Sequence, residues 1–241
     1  MLLNLGLGMG GLISSLIIQK GDLLSFQIMY FVDASTFLIY LLIVLTLRGE
    51  HVNRYIPKAH ETKQGSYRDL FAIKPLMLLG MAGIILFTFG YGTIQAGVPV
   101  FATQFLGLDP KWLGVIFGVN TISIVIFQPL VMRVLDKYSK YTALISIGII
   151  WAISWLFVGV APYLPMFASG IAICVSQLVF AFGEMVQAPT IPTLANELAP
   201  ENIRGRANAW MSLQWSVSGV LGPAITGLML GAELGTAWVV T

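Results

Sequence analysis

The sequence predicts an all-α polytopic membrane protein with about seven transmembrane helices. Of its 241 residues, 57% are hydrophobic and only 10% are charged, and the mean hydropathy is +0.84. A soluble domain carries about 25% charged residues. The apolar residues form continuous runs that are long enough to cross about 30 Å of hydrocarbon. These observations favour a bundle of membrane-spanning helices.

The basic residues give these spans an orientation. Eleven of the thirteen basic side chains fall in 48–74, 133–140 and 196–206, which alternate with connections whose basic residues are Lys20 and Lys111. Positively charged loops face the cytoplasm, so the N-terminus is predicted to be cytoplasmic. The predicted spans are 1–19, 25–47, 75–104, 111–132, 141–161, 166–190 and 206–231.

Two features interrupt this regular pattern. The third span contains Gly90, Gly92, Gly97 and Pro99, which predict an irregular outer end. The segment 48–74 is polar, mixed in charge and long, so it is predicted to link two membrane bundles. A short surface helix is expected within it, near 67–73.

The last span carries a seam of small residues. Ser218, Gly222 and Thr226 are spaced by four, and the adjacent row holds Gly219, Pro223, Gly227 and Gly231. In lipid, small residues let helices approach closely, so the seam predicts a packing face. The helix that packs on this face is expected to move. A larger side chain at Gly222 should therefore impair switching between its positions more than it impairs folding. The first span has small residues at matching places, namely Gly6, Gly10, Gly11, Ser14 and Ser15.

Four stretches resemble the major facilitator superfamily. The run 4–15 resembles its antiporter motif, with Gly6 and Gly10 matching. The run 133–140 is similar to its loop motif through Asp136, Lys137 and Lys140. The runs 31–45 and 183–209 are similar to its sixth helix and to the tenth-to-eleventh helix region of drug-efflux members.

This resemblance implies a partial major facilitator fold covering helices five to eleven. Residues 1–47 would be the last two helices of the N-terminal bundle, and 48–74 would be the central cytoplasmic loop. Residues 75–241 would be a C-terminal bundle lacking its final helix. The chain is therefore interpreted as a fragment that requires the missing helices of a full-length transporter, together with the lipid bilayer.

Two intramembrane carboxylates are candidates for chemistry, because ionisable groups are costly in lipid. Asp33 lies about 12 Å from the outer end of its span and is the proton-coupling candidate, with a structural hydrogen bond as the alternative. Glu184 lies about 9 Å from the inner end of the predicted sixth span. The resemblance implies a cytoplasmic latch in which Glu184 pairs with Arg133 or Lys137, while Asp136 contacts the start of the first span, 1–4.

Mid-span polar and aromatic residues predict a substrate cavity. They are aromatics and amides, which suit an amphipathic or weakly cationic organic molecule. Trp151, Trp155 and Trp210 are predicted to face lipid or the interface instead. The cavity candidates are Tyr91, Gln95, Asn120, Gln177, Gln214 and Trp215.

The predicted function is a secondary active transporter that exports small amphipathic or drug-like molecules by proton antiport with alternating access. A solute importer and a truncated, non-transporting membrane fragment are the alternatives. Motifs for an enzyme, an ATPase, a metal site or a cofactor are not found in the sequence, and no nucleic-acid partner is expected. The expected location is the plasma (inner) membrane of a bacterium.

Overall fold

A computed structural model describes Gly6, Gly10, Ile13, Ile17 and residues 23–46, 65–232 and 234–240. All regular elements among these residues are helical. They are α1 (Leu23–Thr46), α2 (Tyr67–Ala72), α3 (Lys74–Phe105), α4 (Lys111–Leu135), α5 (Lys140–Val160), α6 (Met166–Leu198), α7 (Arg204–Gly231) and α8 (Gly235–Val240).

Six of these helices are long and apolar enough to span a membrane: α1 and α3 to α7, with the turn Glu201–Ile203 counted with α7. They correspond to the second to seventh predicted spans, so the predicted all-helical membrane fold is confirmed. The first predicted span, 1–19, lies outside the described residues except at four positions. Gly6 and Gly10 are helical, while Gly11, Ser14 and Ser15 lie outside the described residues.

The third span is not broken. Its irregularity lies in the pattern of its backbone hydrogen bonds. The helix α3 runs without interruption, but Phe87–Gly92 and Phe101–Phe105 are π-helical. Gly90 and Gly92 lie in the first of these segments, and Pro99 precedes the second. Such π segments occur frequently at functional sites.

The helix α6 continues eight residues past the predicted end at position 190. Pro189 and Pro192 lie inside it, and Pro189 removes the hydrogen bond to the carbonyl of Met185. Gln128 of α4 donates its side-chain amide to that carbonyl at 3.2 Å. A neighbouring helix therefore satisfies the freed backbone group, which allows a membrane helix to continue through a proline.

The core surrounds α6, which packs against α4 and α5, while α7 packs against α3. Trp151 of α5 is 2% exposed and stacks on Phe180 of α6 with ring centroids 4.7 Å apart. The prediction that Trp151 faces lipid is therefore wrong. Gly90 and Gly183 leave the space that the indole fills, since a Cβ at either position would collide with it. Trp155 and Trp210 are half-buried.

Only one row of the predicted seam is a contact surface among the described residues. Ser218, Gly222 and Thr226 are buried, and the Ser218 hydroxyl lies 3.2 Å from that of Thr88 in α3. The adjacent row is open: a Cβ added at Gly227 would meet no described atom within 4 Å, and Pro223 is exposed. The two rows therefore have different roles.

The predicted surface helix is confirmed as α2. A capping box closes its N-terminus, because Asp69 N–H donates to the Ser66 hydroxyl and Ser66 N–H donates to the Asp69 carboxylate at 2.6 Å. Leu70 is its buried anchor.

This cap predicts a pH dependence for α2. Hydrogen bonds from the Ser66 N–H and hydroxyl hold the pKa of the Asp69 carboxyl below its usual range. Because the folded pKa is the lower one, the cap stabilises α2 above the unfolded pKa and is lost as pH falls through the folded value. Hydrogen exchange across 65–73, corrected for intrinsic rates, should accelerate in that window. In Asp69→Asn the corrected rate should lose this pH dependence; an unchanged profile would contradict the cap.

Candidate functional site

Glu184 is a buried carboxylate in the middle of α6, with an exposed fraction of 6%. Asn120 of α4 donates its side-chain amide to Glu184 Oε2 at 2.6 Å. The hydroxyl of Tyr91 in α3 is also hydrogen-bonded to this carboxylate. Three helices therefore converge on one acidic group, and both of these partners are neutral.

This position corrects the sequence-based placement of Glu184. Because α6 extends to Leu198, Glu184 lies about 21 Å from the inner end of its helix rather than about 9 Å. The predicted pairing with Arg133 or Lys137 is not formed. The ion pairs within the described part of the chain are Lys140 with Glu197 and Arg204 with Glu201.

Tyr91 connects the carboxylate to a groove. It lies in the π-helical segment Phe87–Gly92, and its hydroxyl is hydrogen-bonded to Glu184 on one side and to Gln95 on the other. Its ring lies 4.8 Å from that of Trp215, in an edge-on arrangement. Any group that displaces Gln95 from Tyr91 would therefore act on a direct partner of the buried carboxylate.

The groove lies between α3 and α7 and has a volume of about 350 Å³. This volume is within the range of small-molecule sites, about 300–1,000 Å³. Aromatic rings, one amide and a floor of small residues form its walls. The lining residues are Tyr91, Gly92, Gln95, Ala96, Trp215, Ser218, Gly219 and Pro223.

Three of the six predicted cavity residues line the groove, and the other three do not. Tyr91, Gln95 and Trp215 line the groove, and Asn120 holds Glu184 behind it. Gln214 is buried, and its amide N–H donates to the sulfur of Met211 at 3.1 Å. Gln177 is 1% exposed and lies on α6, two turns before Glu184, away from the groove. Its amide nitrogen has no hydrogen-bond partner among the described residues.

Sequence reasoning does not find the aromatic layer behind the groove. Phe87 is buried and lies 4.7 Å from Trp215 and 6.1 Å from Trp151 between ring centroids. Phe180 contacts Tyr91 at 5.9 Å. The sequence signal that could have found this layer is the pair of glycines Gly90 and Gly183. Two glycines on neighbouring helices leave room for a large ring between them.

The remaining candidates lie apart from this site. Asp33 is exposed on α1, a helix in which Ser25 is the buried residue. Arg133, Asp136 and Lys137 are exposed at the end of α4, and Asp136 is its C-cap residue. The partner predicted for Asp136, residues 1–4, lies outside the described residues. Within the described chain no three His, Cys, Asp or Glu side chains are grouped closely enough to hold a metal ion.

Comparison with known proteins decides the family. The family model of the Major Facilitator Superfamily matches residues 1–223. The chain belongs to the major facilitator superfamily. Its members are transporters rather than enzymes, and the chain is an integral membrane protein of this family.

A curated relative is consistent with this assignment. The chain is 31% identical over 130 residues to a protein of Bacillus subtilis (strain 168) named "Uncharacterized MFS-type transporter YttB". The matched stretch covers 53% of this chain and 31% of the relative, so it spans about a third of that protein's length. No solved structure matches the chain at a significant level.

Proposed function

We propose that this chain is part of a secondary active transporter that exports small amphipathic, weakly cationic molecules in exchange for protons, by alternating access. The observation that carries the proposal is the connection of an aromatic groove to a buried carboxylate through one side chain, Tyr91. A substrate in the groove contacts Tyr91 and Trp215, and Tyr91 is hydrogen-bonded to Glu184.

Glu184 is the carboxylate that best fits the exchange of a proton for a substrate. An isolated charge inside a membrane bundle is costly, and the partners of Glu184 are an amide and a hydroxyl rather than a cation. A cationic substrate that displaced Gln95 or turned Tyr91 would supply the missing positive charge. Proton release would then accompany substrate binding. Asp33 is proposed as a second coupling carboxylate, on α1.

The remaining parts follow the resemblance. Residues 1–47 and 75–241 belong to two bundles joined by the central loop 48–74, and helices outside this chain complete the translocation path. Arg133, Asp136 and Lys137 form part of a gate on the cytoplasmic side. The N-terminus is cytoplasmic, and the membrane is the bacterial plasma membrane.

Transport of a fluorescent lipophilic cation tests this function. The complete gene product and this chain alone are reconstituted into separate proteoliposomes, and a pH gradient is imposed in each direction. We expect the complete product to move the cation against its gradient only when protons flow the opposite way. Accumulation in the same direction as the protons would indicate an importer. Transport by this chain alone would contradict the interpretation that it is a fragment.

The groove gives a separate prediction about affinity. Replacing Trp215 with alanine should weaken apparent cation affinity by roughly 2- to 30-fold, as expected for the loss of one cation–π contact worth about 0.5–2 kcal/mol. Trp215→Phe keeps an aromatic face and should lose less. The measurement is the concentration dependence of transport. Equal affinity in both variants and the parent would place the substrate elsewhere.

A further inference from the structure

The exposed face of α2, the first residue of α3 and the first turns of α7 form one basic and aromatic surface, here called the α2 patch. Its cations are exposed or half-buried, and its two aromatic rings, those of Tyr67 and Phe71, are 55% and 53% exposed. The α2 patch consists of Tyr67, Arg68, Phe71, Lys74, Arg204 and Arg206.

Contacts across the two helices hold this surface in place. The guanidinium of Arg206 lies over the ring of Tyr67 at 5.5 Å, and the rings of Phe71 and Trp210 meet edge-on at 6.2 Å. Beneath them, Leu70 is fully buried, and Gly65 N–H donates to the carbonyl of Asn202 at 3.3 Å. The patch is therefore preorganised rather than a set of independent loop side chains.

The charge of the surface is positive. The segments 65–74 and 201–210 contain four basic and two acidic side chains. Asp69 is engaged by its capping box with Ser66, and Glu201 pairs with Arg204 at 3.6 Å. These interactions leave the two carboxylates charged, and Asp69 also acts electrostatically on Arg206 and Arg68. Four basic and two acidic groups give the two segments a net charge of +2.

The α2 patch lies at one end of the helix bundle. It lies at the C-terminal end of α6 and the N-terminal end of α7, and the ion pair of Lys140 with Glu197 brings the start of α5 to the same end. Lys111 is the first residue of α4 and lies at the opposite end of the bundle, because α4 is about 36 Å long. The surface thus lies where the membrane spans emerge at their basic end.

We propose that the α2 patch binds the headgroups of anionic phospholipids in the adjacent leaflet. Exposed aromatic rings favour the membrane interface, and the long basic side chains reach the headgroup layer while their stems contact apolar surface. The negative charge of such lipids complements the net positive charge of this surface. Binding would fasten the end of the central loop against the start of α7, because both contribute to the patch.

A single fluorescent label near the patch tests this proposal. Cys174 is the sole cysteine, so Cys174→Ala with Ala72→Cys places one thiol at an exposed position of α2. The labelled full chain is reconstituted in phosphatidylcholine vesicles with and without phosphatidylglycerol. Quenching by brominated phosphatidylglycerol should exceed quenching by brominated phosphatidylcholine, and the difference should decrease with added salt. Arg68→Gln and Arg206→Gln should each weaken the preference about fivefold.

Matched variants distinguish lipid binding at the α2 patch from a general effect of removing one positive charge. Lys111→Gln removes one charge at the opposite end of the bundle and should leave the preference unchanged, while Arg206→Lys should retain most of it. Arg68 is exposed, so its glutamine variant is expected to fold and keeps the test valid if Arg206→Gln unfolds. Equal quenching by the two lipids, protection of the label from both, or an unchanged preference in Arg68→Gln would each overturn the proposal.

Discussion

Glu184→Gln is expected to abolish proton-driven accumulation of substrate in the complete transporter while leaving downhill exchange intact. Glutamine keeps the shape of glutamate and can retain hydrogen bonds to Asn120 and Tyr91, so the fold should change little. It cannot bind or release a proton. The measurement is the steady-state substrate gradient against an imposed pH gradient: the parent should concentrate substrate, and the variant should equilibrate it regardless of pH.

Two matched variants make the Glu184 experiment specific. Glu197→Gln makes the same chemical change in the same helix, but at an exposed ion pair with Lys140, and it should preserve accumulation. Asp33→Asn tests the second carboxylate. Intact, pH-dependent accumulation in Glu184→Gln together with its loss in Asp33→Asn would move the coupling site to α1.

Gly222→Leu is expected to separate α7 from α3 and to destabilise the protein by about 1–3 kcal/mol or more, the range of overpacked cores. A Cβ at position 222 would lie 2.6 Å from the Cα of Gly92 and closer still to its carbonyl carbon. These are backbone atoms, so a side-chain rotation cannot relieve the collision. Thermal unfolding in detergent, followed by helical circular dichroism, should report a lower midpoint.

The same helix offers a control for added bulk. A Cβ at Gly227 would meet nothing within 4 Å among the described atoms, so Gly227→Leu should change the unfolding free energy by no more than about 0.5 kcal/mol. From the sequence, a larger side chain at Gly222 is expected to impair switching between conformations. The contact with Gly92 adds the prediction that the packing of α7 on α3 is weakened. A Gly222→Leu protein that unfolds at the parent's temperature would refute that contact.

The membrane class, six of the span positions and the surface helix α2 can be predicted from the sequence. The membrane class and the spans depend on the length of apolar runs and on the basic residues between them, and the surface helix is expected within the charged segment 48–74. The predicted end of α6 is wrong by eight residues because Pro189 is a local stop signal, and the compensating donor, Gln128, is supplied by another helix. A bond between distant segments leaves no mark in the local pattern.

The site itself is predicted only in part. The sequence identifies Tyr91, Gln95 and Trp215 as cavity residues, and they share the groove, but it places Glu184 near the cytoplasmic surface and Trp151 toward lipid. The error at Glu184 follows from the misplaced end of α6. The error at Trp151 arises because the lipid-facing and core-facing sides of a membrane helix are both apolar, so hydropathy does not distinguish them.

The sequence by itself determined that this protein is a helical membrane protein, where most of its helices lie and which chemical groups are available within them. The tertiary structure decided which of those groups meet. It paired Glu184 with Asn120 and Tyr91, filled the space beside Gly90 and Gly183 with Trp151, and buried one row of small residues while leaving the other open. Helix composition fixes insertion into the bilayer, but close packing between helices fixes how each one is rotated about its axis.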